Sequence, residues 1–113
     1  AEREAVEIDR RGREIRHAIV IRGEEAPAKP RVYRLKAAAC EAFFVDLERE
    51  RPERWKNDYS EEIMDGAAWM LRIRHTDAPE KSVKGNVRLP PGGQRLREKI
   101  LRLAPFAPKP RIF

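Results

Sequence analysis

The stretch Trp69-Met70-Leu71-Arg72-Ile73-Arg74-His75, followed after Thr76-Asp77-Ala78-Pro79 by Lys81-Ser82-Val83-Lys84-Gly85-Asn86-Val87-Arg88-Leu89, decides how this chain is read. In the first segment Trp69, Leu71 and Ile73 share one face and Met70, Arg72 and Arg74 the other. That period-two alternation marks a strand with one dry and one wet side. In the second, Lys81, Val83, Gly85, Val87 and Leu89 alternate with Ser82, Lys84, Asn86 and Arg88. Asp65-Gly66 ahead of the pair is a turn dipeptide, because glycine accepts positive φ and aspartate bonds its own backbone. An antiparallel hairpin is expected, ended by Pro90-Pro91-Gly92-Gly93.

Working outward, residues 4–10 alternate Val6 and Ile8 with charged neighbours. Arg11-Gly12 reads as a turn, and residues 13–22 set Ile15, His17, Ile19 and Ile21 against Arg16, Ala18, Val20 and Arg22. This is a second hairpin; the competing reading, one amphipathic helix through residues 2–18, is opposed by the β-branched run Ile19-Val20-Ile21. Residues 23–30 form a Pro-containing loop, and residues 31–35 a short strand or helix lead-in. Residues 36–51 carry Ala39, Cys40, Phe43, Phe44 and Leu47 on one helical stripe and end at Pro52. Residues 53–64 space Trp55, Tyr59 and Ile63 four apart, as a short helix or an aromatic-anchored loop. Residues 94–103 are a second helix with Leu96, Ile100 and Leu103 inward. The expected fold is α+β and two-layered: a four- or five-stranded antiparallel sheet with two main helices on one face, in the order ββ-α-ββ-α. Residues 1–103 form a single domain, and residues 104–113, with three prolines, a C-terminal tail.

The 113 residues suffice for one modest core. No apolar run reaches the roughly 18–20 residues a membrane helix needs, and the opening Ala1-Glu2-Arg3-Glu4-Ala5 does not resemble a signal peptide. The single cysteine, Cys40, cannot form an internal disulfide, which favours a reducing, cytoplasmic setting. Net charge is +6, from 18 Arg and 7 Lys against 19 acidic residues. Arginine suits phosphate and carboxylate, so an anionic partner fits, although an Arg, Ala and Pro bias also follows from GC-rich coding.

No motif in the sequence specifies an activity. His17, His75 and Cys40 each stand alone in their segments, so no metal or cofactor is expected, and Cys40 lies on an apolar stripe. Asp65, His75 and Asp77 would need one deep pocket to form an enzyme site. Glu24-Glu25 and Glu61-Glu62 read as solvated pairs. Pro91-Gly92-Gly93 lacks the Lys-Ser/Thr of a P-loop. For nucleic acid, the candidates are Arg72, Arg74, Lys84 and Arg88 on the hairpin and Arg95, Arg97 and Arg102 on the last helix, provided they share a side. For a protein partner, the tail offers Phe106, Ile112 and Phe113.

Trp55, Tyr59, Asp65-Gly66, Trp69, Leu71, Ile73, Lys81-Ser82, Gly85 and Pro90-Pro91 stand at a spacing that resembles a group of small bacterial proteins of uncharacterised function. The likeness covers half the chain. The group often has Thr where this chain has Ala67, and Asn where it has Val87. It implies the fold just described and no activity. The expected role is a non-enzymatic protein-interaction module, an accessory subunit of a larger assembly; nucleic-acid binding is the alternative. The sequence leaves the oligomeric state open.

Overall fold

The structure is a computed structural model and describes residues 2–21, 30–61, 68–76, 78–86 and 88–104. Six strands and two helices follow in the order β1 (Glu2–Asp9), β2 (Glu14–Ile21), β3 (Arg31–Arg34), α1 (Ala37–Arg49), a 3-10 turn (Pro52–Arg54), β4 (Asp58–Tyr59), β5 (Ala68–Arg74), β6 (Lys81–Gly85) and α2 (Gly93–Leu103). The sheet order is β3-β2-β1-β5-β6-β4. Both expected hairpins are present: β1 with β2 (Val6 facing His17) and β5 with β6 (Leu71 facing Val83).

The expected all-antiparallel sheet of four or five strands is corrected to a mixed sheet of six. The two hairpins meet through a parallel pair, β1 with β5, in which Val6 faces Leu71 and Ile8 faces Ile73. β4 adds a second parallel pair against β6. The order ββ-α-ββ-α gives way because residues 31–34 form a third strand on β2, and residues 58–59 a fourth at the opposite edge. Since β3 and β4 occupy opposite edges, the connection that holds α1 carries the chain from one side of the sheet to the other. Residues 53–59 are therefore no helix but a 3-10 turn and an aromatic-anchored strand. Trp55 Nε1 donates to Pro91 O at 3.0 Å, and the Lys56 amide to the Tyr59 hydroxyl at 3.1 Å.

One face of the sheet is dry. Val6, Ile8, Ile15, Trp69, Leu71, Ile73 and Val83 meet Cys40, Phe43, Phe44 and Leu47 of α1 and Leu96 and Ile100 of α2. The helices are also tied by Lys99 to Asp46 at 2.9 Å and Arg95 to Glu50 at 2.8 Å. Two glycines are needed for space. A Cβ on Gly85 would lie 2.6 Å from Trp69 Cζ2. Gly92, with φ of 79°, opens α2 where a Cβ would strike the Glu50 carboxylate. The positive φ of the β1–β2 turn falls on Arg13 (54°), while Asp9 Oδ1 accepts from the Arg11 and Gly12 amides.

Several residues of the spaced motif hold one another. Trp69 lies over Gly85, Lys81 Nζ donates to Trp55 O at 2.7 Å and to Asn57 Oδ1 at 3.0 Å, and Trp55 reaches Pro91. Next to Gly85, the Asn86 side chain accepts from the Glu61 amide at 2.8 Å and donates to Glu61 O at 2.6 Å, continuing the β4–β6 ladder by one step. Asp65-Gly66, Ala67, Asp77, Val87 and the loop over residues 23–29 lie outside the described residues.

Candidate interaction surface

Period two sends every second strand residue to the face opposite the helices. Register aligns these outer residues in rows: Ala18, Ala5, Met70, Lys84 and Asp58 in one, Val32, Arg16, Glu7, Arg72 and Ser82 in the next. The first row is mostly small and apolar at its centre and floors a shallow hollow of about 270 Å³ with Glu7, Arg16 and Arg72 on its rim. The second alternates in charge. Glu7 bridges Arg72 (3.7 Å) and Arg74 (3.4 Å), and Glu80 approaches the same two arginines at 2.8 and 3.8 Å.

The candidate phosphate-binding residues are thus brought into two groups. Arg72, Arg74 and Lys84 lie on the outer face, whereas Arg95, Arg97 and Arg102 ride on α2, which covers the other face. Most of them face a carboxylate: Lys84 meets Asp58 at 3.7 Å, Arg88 meets Glu61 at 2.7 Å, and Arg95 holds Glu50 through two bonds of 2.8 Å. Arg102 is exposed and Arg97 half-buried. Exposed pairs of this kind contribute about 0–1 kcal/mol each to stability, but they lower the positive potential that a phosphate would meet. Phe106, Ile112 and Phe113 lie outside the described residues.

Of the residues weighed for chemistry, His17 and Cys40 are buried in the fold and His75 lines a cleft. His17 is 3% exposed on the dry face. Arg31 Nη2 lies 2.6 Å from its Nδ1. A guanidinium can only donate, so Nδ1 accepts and the ring proton sits on Nε2, 3.3 Å from the Glu4 carboxylate. Glu4 is itself 8% exposed, so the ring links a buried carboxylate to a half-buried guanidinium across three strands. Cys40 is buried against α1's own stripe, and burial pushes its thiol pKa up, away from the reactive thiolate. His75 follows the carboxyl end of β5, its ring edge-on to Phe44 at 5.5 Å. It lines a cleft of about 520 Å³ with Arg10, Glu48, Glu53, Glu80 and Lys81. The cleft sits where the parallel strands β1 and β5 both end, the usual position for a ligand in parallel sheets. Its carboxylates are exposed, and Arg10 is engaged by Glu41 at 2.7 Å and Glu48 at 3.7 Å. Among the described residues no three His, Cys, Asp or Glu gather as metal ligands. Among them, too, no helix is long and apolar enough to cross a membrane.

Of the two readings of residues 31–35, short strand or helix lead-in, the structure shows the strand, β3. Val32 and Tyr33, 46% and 39% exposed, are two of the three large exposed hydrophobic residues among those described, and they are neighbours on an outer strand. The sequence left the two open because the four residues Arg31-Val32-Tyr33-Arg34 are too few to show a period, and it did not single out Val32 and Tyr33 as a surface feature. Among the described residues, the fold is a two-layer α+β arrangement with both helices on one sheet face and none on the other. No protein-family model, curated protein or solved structure matches the chain.

Proposed function

We propose that this chain is a non-enzymatic protein-interaction module, an accessory subunit of a larger assembly, which meets its partner along the β3 edge of the sheet. The observation that carries the reading is the exposure of Val32 and Tyr33 on the outermost strand, one on each side of its edge. Isolated exposed hydrophobic residues are ordinary, but adjacent ones on a sheet edge are a recurrent protein-binding feature. The engagement of His17 by Glu4 and Arg31, and of Cys40 by the core, supports a binding role over a catalytic one. A cytoplasmic setting goes with this reading, since a lone cysteine makes no internal disulfide.

The test is a photo-crosslinking amino acid placed at Tyr33 of the full chain in its native cells, with Glu98 on the exposed side of α2 as control. A discrete protein adduct from position 33 and none from position 98 is the expected result. Equal background at both positions would sink the reading.

Nucleic-acid binding is the second reading. It is favoured by the excess of arginine and by Arg13 and Arg16 close to β3. Titration of labelled DNA and RNA at about 50 and 200 mM salt separates the two, because phosphate contacts lose affinity steeply over that range.

A further inference from the structure

The outer edge of β3 presents an alternation that its ladder with β2 dictates. Arg34 faces Glu14 across the pair, so Leu35 faces Arg13, and the Leu35 amide donates to Arg13 O at 2.7 Å. Directly opposed residues of antiparallel strands alternate between exchanging both hydrogen bonds and exchanging none. Arg31 and Tyr33 therefore aim their N–H and C=O at β2, while Val32 and Arg34 aim theirs away from the sheet. Among the described residues no strand lies beyond β3. Such an edge is a template for another strand. The opposite edge, β4, is two residues long and offers far less.

The side chains narrow the occupant. Val32 stands on the outer face beside Arg16, and Tyr33 on the helix-side face beside Ile15. Arg13, Arg16, Arg31, Arg34 and Lys36 lie on or beside the strand. Glu14, which accepts from Arg16 at 2.9 Å and Arg34 at 3.3 Å, is the carboxylate in their midst. Asp9 is turned onto the amides of its own turn.

We propose that β3 is a docking strand for an extended, acidic segment of a partner protein, which adds one strand to the sheet. This rests on the protein-interaction reading and specifies its partner. The segment sets apolar side chains opposite Val32 and Tyr33 and a carboxylate opposite the exposed Arg34, with backbone bonds to Val32 and Arg34 fixing its register. A second copy of this chain is a poorer fit, because two strands of Arg31-Val32-Tyr33-Arg34 bring four arginines together between molecules of charge +6. Nucleic acid is poorer too: its backbone phosphates supply no donor for the outward carbonyls of Val32 and Arg34, whereas an extended peptide offers an amide for each carbonyl at strand spacing.

The experiment selects random dodecapeptides against the full chain and measures the winners on three proteins: the parent, Val32→Pro and Arg34→Glu. Val32→Pro removes an outward N–H that makes no bond to β2, so the ladder survives and the thermal midpoint moves by no more than about 2 °C. The expected winners share two apolar residues flanked by carboxylates. Val32→Pro weakens them about tenfold, the scale of one hydrogen bond that must be replaced by water. Arg34→Glu weakens them by a similar factor and favours a lysine-flanked peptide. Winners without carboxylates, no winners at all, or equal binding by Val32→Pro would overturn the proposal. So would a chain dimer that Val32→Pro makes monomeric, or salt-steep DNA binding indifferent to that change. A Tyr33 cross-link that persists in Val32→Pro removes the docking strand but leaves the interaction module standing; absence of any Tyr33 adduct removes the module itself.

Discussion

Substituting Gly85 by alanine places a methyl group 2.6 Å from Trp69 Cζ2, 2.8 Å from Cε2 and 3.1 Å from Nε1. Ordinary carbon contact begins near 3.5 Å, so the indole must retreat by about 0.9 Å. It has little room to do so, being 1% exposed beneath the helices. The backbone of Gly85 is a regular strand opposite Trp69, so the cost is steric. Overpacking a tight core costs about 1–3 kcal/mol, and a ring without an exit belongs at the upper end, about 2–3 kcal/mol. For a domain of this size the thermal midpoint should fall by about 8–12 °C. Urea unfolding followed by circular dichroism measures the change without depending on tryptophan emission. The mechanism makes a sharper statement through a double-mutant cycle with Trp69→Phe. The phenyl ring carries none of the three indole atoms that meet the new methyl, so Gly85→Ala should cost less than about 1 kcal/mol there, a coupling of at least about 1 kcal/mol. Strictly additive effects would refute the reasoning, and so would a neutral single substitution.

Arg51 follows α1 in the left-handed region (φ 51°), where glycine is the usual residue; Arg51→Gly should raise the thermal midpoint by about 2–4 °C, and a fall would contradict that reading. The Arg95 guanidinium holds the Glu50 carboxyl below its usual pKa, and Lys99 does the same for Asp46. A lowered folded pKa means the unfolded chain binds more protons, so this stability is present above about pH 4.3 and is lost as pH falls through the folded values. Glu50→Gln should flatten the acid limb of a urea-midpoint profile and leave the slope above about pH 6 unchanged; an unaltered acid limb would contradict it. Cys40, buried and with its pKa raised, should react with a thiol reagent in native buffer at least about a thousandfold more slowly than in urea, the ratio set by the unfolded fraction. Equal rates would place the thiol outside the core.

The elements with a full period were legible in the sequence. Val6 and Ile8, Ile15 and His17, and Trp69, Leu71 and Ile73 set the dry face of the sheet, and the Cys40, Phe43, Phe44, Leu47 stripe set α1. The pairing of β1 with β5 was not legible, because nothing local in Val6 or Leu71 states that they are neighbours across 65 residues. A hairpin carries its own partner; a parallel pair does not. β3 and β4, at four and two residues, are too short for alternation to separate strand from lead-in. Counting arginines could not show that Glu7 would lie between Arg72 and Arg74. His17 looked solitary because both partners arrive across strands. One signal was available: Glu4 is in phase with Val6 and Ile8, and an acid on the buried face of a strand requires a partner.

The central claim is that β3 keeps a bonding edge open, and amide hydrogen exchange on the chain by itself tests it most directly. Arg31 and Tyr33 should exchange slowly, protected by β2, while the alternate amides of Val32 and Arg34 exchange at rates near those of an unstructured peptide of the same sequence. Protection of Val32 and Arg34 equal to that of Tyr33 would mean that the edge is already occupied, and the account of this surface would fail.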